Sequence, residues 1–250
     1  MTSSPLPITA ALHAVVAVAC IVALCFDLPP ITGVHPALKP LKFAVSIALL
    51  LGSLAYVLSL MTSYRPAGQM LAWVISLTMV IEMAVILAQA LRGTSSHYNL
   101  RSGLDASLWN LMALAILVAT VALVAFALVA TLASLRGSPL IAFALRAGMW
   151  LVLLAVVSGA AMAGRRAHTV GAPDGGGGMH LTNWSTTHGD LRIPHFIALH
   201  GLQALPAIAA VLLLLPFGPR IRWAVLIAAT VGWAAIGIHA LVRAFAGRPW

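Results

Sequence analysis

Charged residues are scarce in this chain: Asp, Glu, Lys and Arg make up 8% of its 250 residues, and only five are acidic. A water-soluble domain devotes about a quarter of its residues to charge. So few charges cannot cover a surface that faces water, so lipid must solvate most of the chain. Lysine is rarer still, with only Lys39 and Lys42. Both lie outside the interior of the apolar stretches, which argues against a retinal protein, whose Schiff base needs a lysine inside the bundle. The two cysteines, Cys20 and Cys25, share one apolar stretch and point to different sides of a helix, so they do not pair within it.

Several motifs are missing as well. No Gly-x-Ser-x-Gly elbow supports serine-nucleophile chemistry, and no His-Glu-x-x-His clamps a metal from one helix. The glycine run after Pro173 has no Gly-Lys-Ser/Thr ending and no preceding strand, so it is not a phosphate loop. The net charge of +9 comes without any Lys/Arg-rich run to track a phosphate backbone, which excludes nucleic acid as a partner. No internal repeat is evident. Before the first apolar run there is no Lys or Arg, and the run ends in Leu24-Cys25-Phe26-Asp27, a poor cleavage site. It is therefore read as a retained helix, not a signal peptide. Asn183-Trp184-Ser185 is a glycosylation sequon by pattern only.

What is abundant is apolar sequence: 62% of residues are hydrophobic and the mean hydropathy is +1.03. A membrane-spanning helix needs roughly 20 mostly apolar residues. Seven stretches qualify, at about 8–26, 42–62, 69–91, 107–135, 139–163, 194–217 and 221–246. The expected fold is an all-α integral membrane protein, a single polytopic domain over 1–250 built as a seven-helix bundle. Pro29-Pro30, Arg65-Pro66, Arg92-Gly93, Gly137-Ser138-Pro139, the glycine run and Gly218-Pro219 are read as separators.

The flanking cations suggest an orientation. Arg65, Arg136, Arg220 and Arg222 lie on the N-terminal side. Lys39, Lys42, Arg92, Arg101, Arg165, Arg166, Arg192, Arg243 and Arg248 lie on the other. The positive-inside rule then puts the N-terminus outside and the C-terminus in the cytoplasm, in a bacterial-type inner membrane. The long loops 27–41, 92–106 and 164–193 all fall on the positive side, where a site is expected. Loop 27–41 is placed along the membrane interface. Loop 164–193, with His168, His180, Trp184 and His188 around Pro173-Asp174-Gly175-Gly176-Gly177-Gly178, is read as a plain flexible connection.

Ionisable groups inside the spans carry the functional expectation, because hydrocarbon penalises them by several kcal/mol. Glu82 lies ~15 Å from the positive side, His200 and Gln203 ~9 and ~14 Å, and His239 ~10 Å, at 1.5 Å per residue. Three helices thus place Glu82, His200 with Gln203, and His239 in one slab. Glu82 and Gln89, seven apart, share a helix face that leads out to Arg92, Ser96 and His97. Arg243 lies one turn from His239 on the same face. Glu82 and His97 are accordingly the candidate catalytic groups. Glu82, His195, His200 and His239 are candidate metal ligands, with Gln203 beside them, and His200 with His239 is the axial pair for a haem. Gln89, Arg92, Asn99 and Arg243 are the candidate substrate or head-group contacts. His13, toward the opposite face, is set apart from the site, and Arg146 is an alternative partner for Glu82.

Each residue also has a plainer role. His195 follows Pro194 at the membrane surface, His200 can bond a neighbouring carbonyl, and His239 with Arg243 fits packing at a helix end. Gly93 can simply end the third helix. The leading expectation is a membrane oxidoreductase or hydrolase for a lipophilic substrate, using a divalent metal ion or haem b. The alternative is a proton-coupled carrier with Glu82 as its protonatable site and the bilayer, a proton and a small lipophilic molecule as partners. A third is a receptor or assembly subunit in which polar residues only glue helices together.

Overall fold

A computed structural model describes residues 4–175, 177–180 and 182–250. The first residues of the N-terminal segment (1–3) and Gly176 of the glycine run lie outside the described residues. Seven helices follow in order: α1 (Pro5–Ala23), α2 (Leu38–Leu60), α3 (Arg65–Leu91), α4 (Gly103–Leu132), α5 (Pro139–Arg165), α6 (Arg192–Leu214) and α7 (Pro219–Phe245). All seven are long and apolar enough to cross a membrane. Large aliphatic side chains such as Leu12, Val15, Leu117 and Val121 are exposed along them. In water such surface would be costly, whereas against acyl chains it is matched. The chain is an integral, multi-pass membrane protein.

The helix ends show why hydropathy misplaced several boundaries. Ser4, Ser102 and Ser138 cap α1, α4 and α5, their hydroxyls accepting from the backbone N–H of Leu6, Asp105 and Leu140. Proline occupies the first turn of α1, α3, α5 and α7, where its missing N–H costs nothing. Arg65-Pro66 and Pro219 therefore open helices; they do not separate them. Loop 92–106 shrinks to 92–102, because Ser102 caps α4 and its first residue, Gly103, lies four residues before the apolar run. Gly93, at φ 68°, ends α3: the N–H groups of Gly93 and Thr94 return to the carbonyls of Ala90 and Gln89.

The chain forms two compact units, residues 4–135 and 136–250. In the first, α1 packs on α2 and α3, α2 on α3, and α3 on α4. Its interior holds Leu51, Leu54, Leu58, Ile75, Ile86, Met112 and Phe126. At one end loop 92–102 meets the starts of α2 and α4, with His97 against Phe43 and Trp109. At the other end Met61 bridges Leu135.

In the second unit, α5 packs on α6 and α7, and α6 on α7. A Cβ on Gly148 of α5 would lie 2.7 Å from the Gly201 carbonyl oxygen of α6. Only glycine permits that approach, the usual way apolar helices associate where lipid removes the hydrophobic drive. Loop 166–191 departs from the plain flexible connection expected. Strands β1 (Thr169–Val170) and β2 (Gly189–Asp190) pair antiparallel. The Asp174 carboxylate accepts from the backbone N–H of His168 and of Thr169, which fixes the turn.

Candidate proton-binding site of the first unit

Glu82 belongs to a stripe of α3 that includes Ile75, Met79, Met83, Ile86 and Gln89, all buried. The spacing turns the carboxyl into the unit and away from lipid, with 4% of the residue exposed. Oε1 of Glu82 lies 3.5 Å from Nε2 of His97. Oε2 has no hydrogen-bond partner among the described residues. The loop after α3 thus turns back inward, bringing His97 against a carboxyl that lies ~14 Å up the helix from Leu91 at 1.5 Å per residue. Phe43 of α2, Trp109 of α4 and the adjacent Tyr98 surround the imidazole, with ring centres 5.4, 5.7 and 6.0 Å away.

Burial pushes the His97 pKa well below the ordinary histidine value, and the Lys39 charge acts in the same direction. The ring is therefore neutral at pH 7. Nδ1 lies 3.1 Å from the Ser96 hydroxyl. When that hydroxyl donates to Nδ1, Nε2 carries the proton and faces the Glu82 carboxylate. When the carboxyl is protonated, its O–H faces Nε2. Both protonation states use the same two atoms, which suits the pair to holding and passing a proton. Lys39 is close enough for its charge to act on Glu82 as well.

Beside this pair sits a second polar cluster that the sequence reading only half identified. Gln89, on the Glu82 face and fully buried, donates to Asp105 Oδ1 at 2.9 Å. Arg92 donates to the same oxygen at 2.8 Å and to the Gln89 side-chain carbonyl. Ser102 donates to Asp105 Oδ2 at 2.7 Å. Asn99 donates to the Thr94 hydroxyl and the Ser95 carbonyl, and accepts from the Arg101 N–H. Gln89, Arg92 and Asn99 are thus engaged with this loop. Asp105 was passed over because hydropathy assigned it to a loop; Ser-x-x-Asp at a helix start was the available signal.

The remaining candidates lie in the second unit. His195 of α6 places Nδ1 2.9 Å from the Ala155 carbonyl and 3.3 Å from the Ser158 hydroxyl of α5. His200 bonds the Phe196 carbonyl one turn back at 2.8 Å and stacks on the Phe196 ring at 3.9 Å. Gln203 is half-buried one turn further. His239 is exposed on α7, with its ring 5.9 Å from that of Trp250. Arg243 donates to the Pro249 carbonyl, which ties down the C-terminal tail.

Sequence reasoning also missed Asp190, which is buried at the start of α6 and paired with Arg192 at 2.6 Å. Burial alone would raise this carboxyl. The Arg192 hydrogen bond and charge, with the N–H groups of Ser185 and Arg192, instead hold it below the usual carboxylate range. Among the described residues, no three His, Cys, Asp or Glu side chains gather as a metal-ligand set. No protein-family model, curated protein or solved structure matches the chain.

Proposed function

We propose that the chain is a proton-coupled membrane carrier that binds its proton at Glu82 and His97. The observation that supports this reading is the contact itself: a carboxyl buried in a membrane-spanning helix, one oxygen beside a neutral imidazole and the other without a hydrogen-bond partner among the described residues. A carboxyl that only joined helices would be expected to have both oxygens bonded, since an unbonded buried polar atom costs ~1–3 kcal/mol. Intramembrane acids of this kind mark proton and ion pathways. The excess of Lys and Arg on the side of the loops 27–41, 92–106 and 164–193 supports reading that side as cytoplasmic and the N-terminus as outside, in a bacterial-type inner membrane.

Purified protein in phospholipid vesicles tests the reading with the proton as probe. A potassium diffusion potential is imposed, and lumenal pH is followed with a trapped dye. Wild-type vesicles are expected to move protons about tenfold faster than empty ones, with Glu82→Gln at the empty-vesicle rate. Equal rates for wild type and Glu82→Gln would overturn the carrier.

The same two groups support a second reading, an enzyme for a lipophilic substrate with Glu82 and His97 as base and acid. Chemical conversion of a lipid-soluble substrate, lost in His97→Phe without any proton flux, would favour it. Elemental analysis and an optical spectrum of the purified protein decide whether a divalent metal ion or haem b belongs to that reading.

A further inference from the structure

The residues after α7 fold back on the helix that precedes them. Gly247, at φ 70°, turns the chain: its N–H returns to the Ala244 carbonyl, and the Arg248 N–H to the Arg243 carbonyl. Arg243 Nε and Nη2 then hold the Pro249 carbonyl, and the Trp250 ring meets that of His239 at 5.9 Å. The β1–β2 hairpin is pressed against this turn. A Cβ on Gly189 would lie 2.1 Å from the Ala244 carbonyl oxygen and 3.0 Å from Gly247 Cα, so only glycine fits there. That contact seats the next residue, Asp190, beside the end of α7. The result is a small cleft lined by Asp190, Ile193, Ala240, Arg243, Arg248 and Trp250.

Charge in this cleft is unbalanced. Arg192 already binds both carboxylate oxygens of Asp190. The C-terminal end of a helix carries about half a negative charge, which the Arg243 guanidinium alone more than offsets. Arg248 is then surplus. Its guanidinium has no hydrogen-bond partner among the described residues, and neither has Nη1 of Arg243. Two guanidinium groups lining one cleft repel each other unless an anion comes between them. Their planar N–H forks match the oxygens of a phosphate.

Depth and surface indicate where such a phosphate comes from. The 27 residues of α7 span ~40 Å, against a hydrocarbon core ~30 Å thick. Its ends therefore extend beyond the hydrocarbon, which brings Arg243 and Arg248 to the level of the lipid head groups. Tryptophan such as Trp250 is favoured at that level. Ile236, seven residues before Arg243 and within ~20° of it around the helix, is exposed. An apolar surface thus lies below the cleft, on the side of α7 that carries Arg243.

We infer that this cleft binds the phosphate of an anionic phospholipid, with Arg243 Nη1 and the Arg248 guanidinium as donors and Trp250 at its rim. Basic pockets at the ends of membrane helices receive head groups in this way. A free phosphate compound offers the same oxygens, but the head-group level of the cleft and the exposed Ile236 favour the lipid. Neither Glu82 nor His97 takes part, so the site stands or falls apart from proton transfer.

The purified chain in neutral detergent is titrated with phosphatidylglycerol or phosphatidylcholine, and bound lipid is counted by native mass spectrometry. One phosphatidylglycerol is expected to bind about tenfold or more tightly than phosphatidylcholine. Arg248→Gln breaks no side-chain bond within the described residues, and it should weaken that binding about tenfold. Arg248→Lys keeps the charge and should restore part of it. Arg101→Gln removes an equally exposed arginine from the first unit and should leave it unchanged. Equal binding of the two lipids, or wild-type phosphatidylglycerol binding in Arg248→Gln, overturns the inference. An equal loss in Arg101→Gln would show general attraction to a positive surface and overturn it too. If inorganic phosphate displaces phosphatidylglycerol at comparable concentration, the cleft serves a free phosphate compound and the lipid assignment falls.

Discussion

His97 Nε2 reaches within 3.5 Å of Glu82 Oε1, although His97 lies in the loop beyond the end of the helix that carries Glu82. The contact exists because Gly93 reverses the chain and the loop packs inward, with His97 against Phe43 and Trp109. One partner is a membrane-embedded acid and the other a histidine kept neutral by burial.

That neutrality predicts a pH dependence. A histidine with a folded-state pKa far below its unfolded value of ~6.5 binds its proton preferentially in the unfolded chain. Stability contributed by His97 is complete above about pH 6.5 and falls as the solution is acidified below it, by at most ~1.4 kcal/mol per pH unit. Thermal unfolding in detergent should show a Tm that falls between about pH 6.5 and 5 in wild type. The fall should be shallower in His97→Phe, and parallel curves would show that His97 is not the group responsible.

The Asp105 cluster is expected to matter more for folding than for transport. Asp105→Ala removes acceptors from Gln89, Arg92 and Ser102 at once and strands the buried Gln89 amide, so it should destabilise the folded chain more than the loss of any one of its partners. Arg92→Ala should cost less than ~1 kcal/mol, because that side chain is 41% exposed. Denaturation of both variants in detergent gives the comparison. A larger effect from Arg92 would reverse the assignment of Asp105 as the centre of the cluster.

Asp190 anchors loop 166–191 through Arg192 and the Ser185 N–H. Its carboxyl titrates low in the folded chain, so its stabilisation is present above an unfolded pKa of ~3.9 and is lost only as pH falls further. At neutral pH, Asp190→Ala should free the loop. Limited trypsin digestion near Arg165 and Arg166 is then expected to run several-fold faster than in wild type. An unchanged digestion rate would mean the β1–β2 pairing holds the loop unaided.

At the α5–α6 crossing, Gly148→Ala places a methyl 2.7 Å from the Gly201 carbonyl oxygen. The helices must separate, with an expected loss of about 1–3 kcal/mol. Gly52→Ala, where a Cβ meets nothing within 4 Å, is the control and should be neutral or slightly stabilising.

His239→Ala is expected to change stability by less than ~0.5 kcal/mol, since the ring is exposed on α7. Together with His200→Ala it should leave the optical spectrum and metal content of the purified protein unchanged. Loss of a Soret band or of stoichiometric metal in either variant would restore the haem or metal reading.

The amino-acid sequence determined the solvent and the elements by itself. So few charges leave lipid as the only medium that tolerates this composition, and seven apolar runs of spanning length become seven helices because hydrocarbon offers the backbone no other partner. The heptad spacing of Glu82 and Gln89 put both on one face, and both are buried there. Tertiary structure alone decided what those faces meet. Lipid-facing and interior positions are both apolar here, so the pattern along a helix scarcely marks its rotation, and partners across helices leave no periodic trace. The inward turn of His97, the docking of His13 on the Met79 carbonyl, and the capture of Gln89 by Asp105 depend on loop path and helix rotation, which follow from packing of side chains distant in the chain.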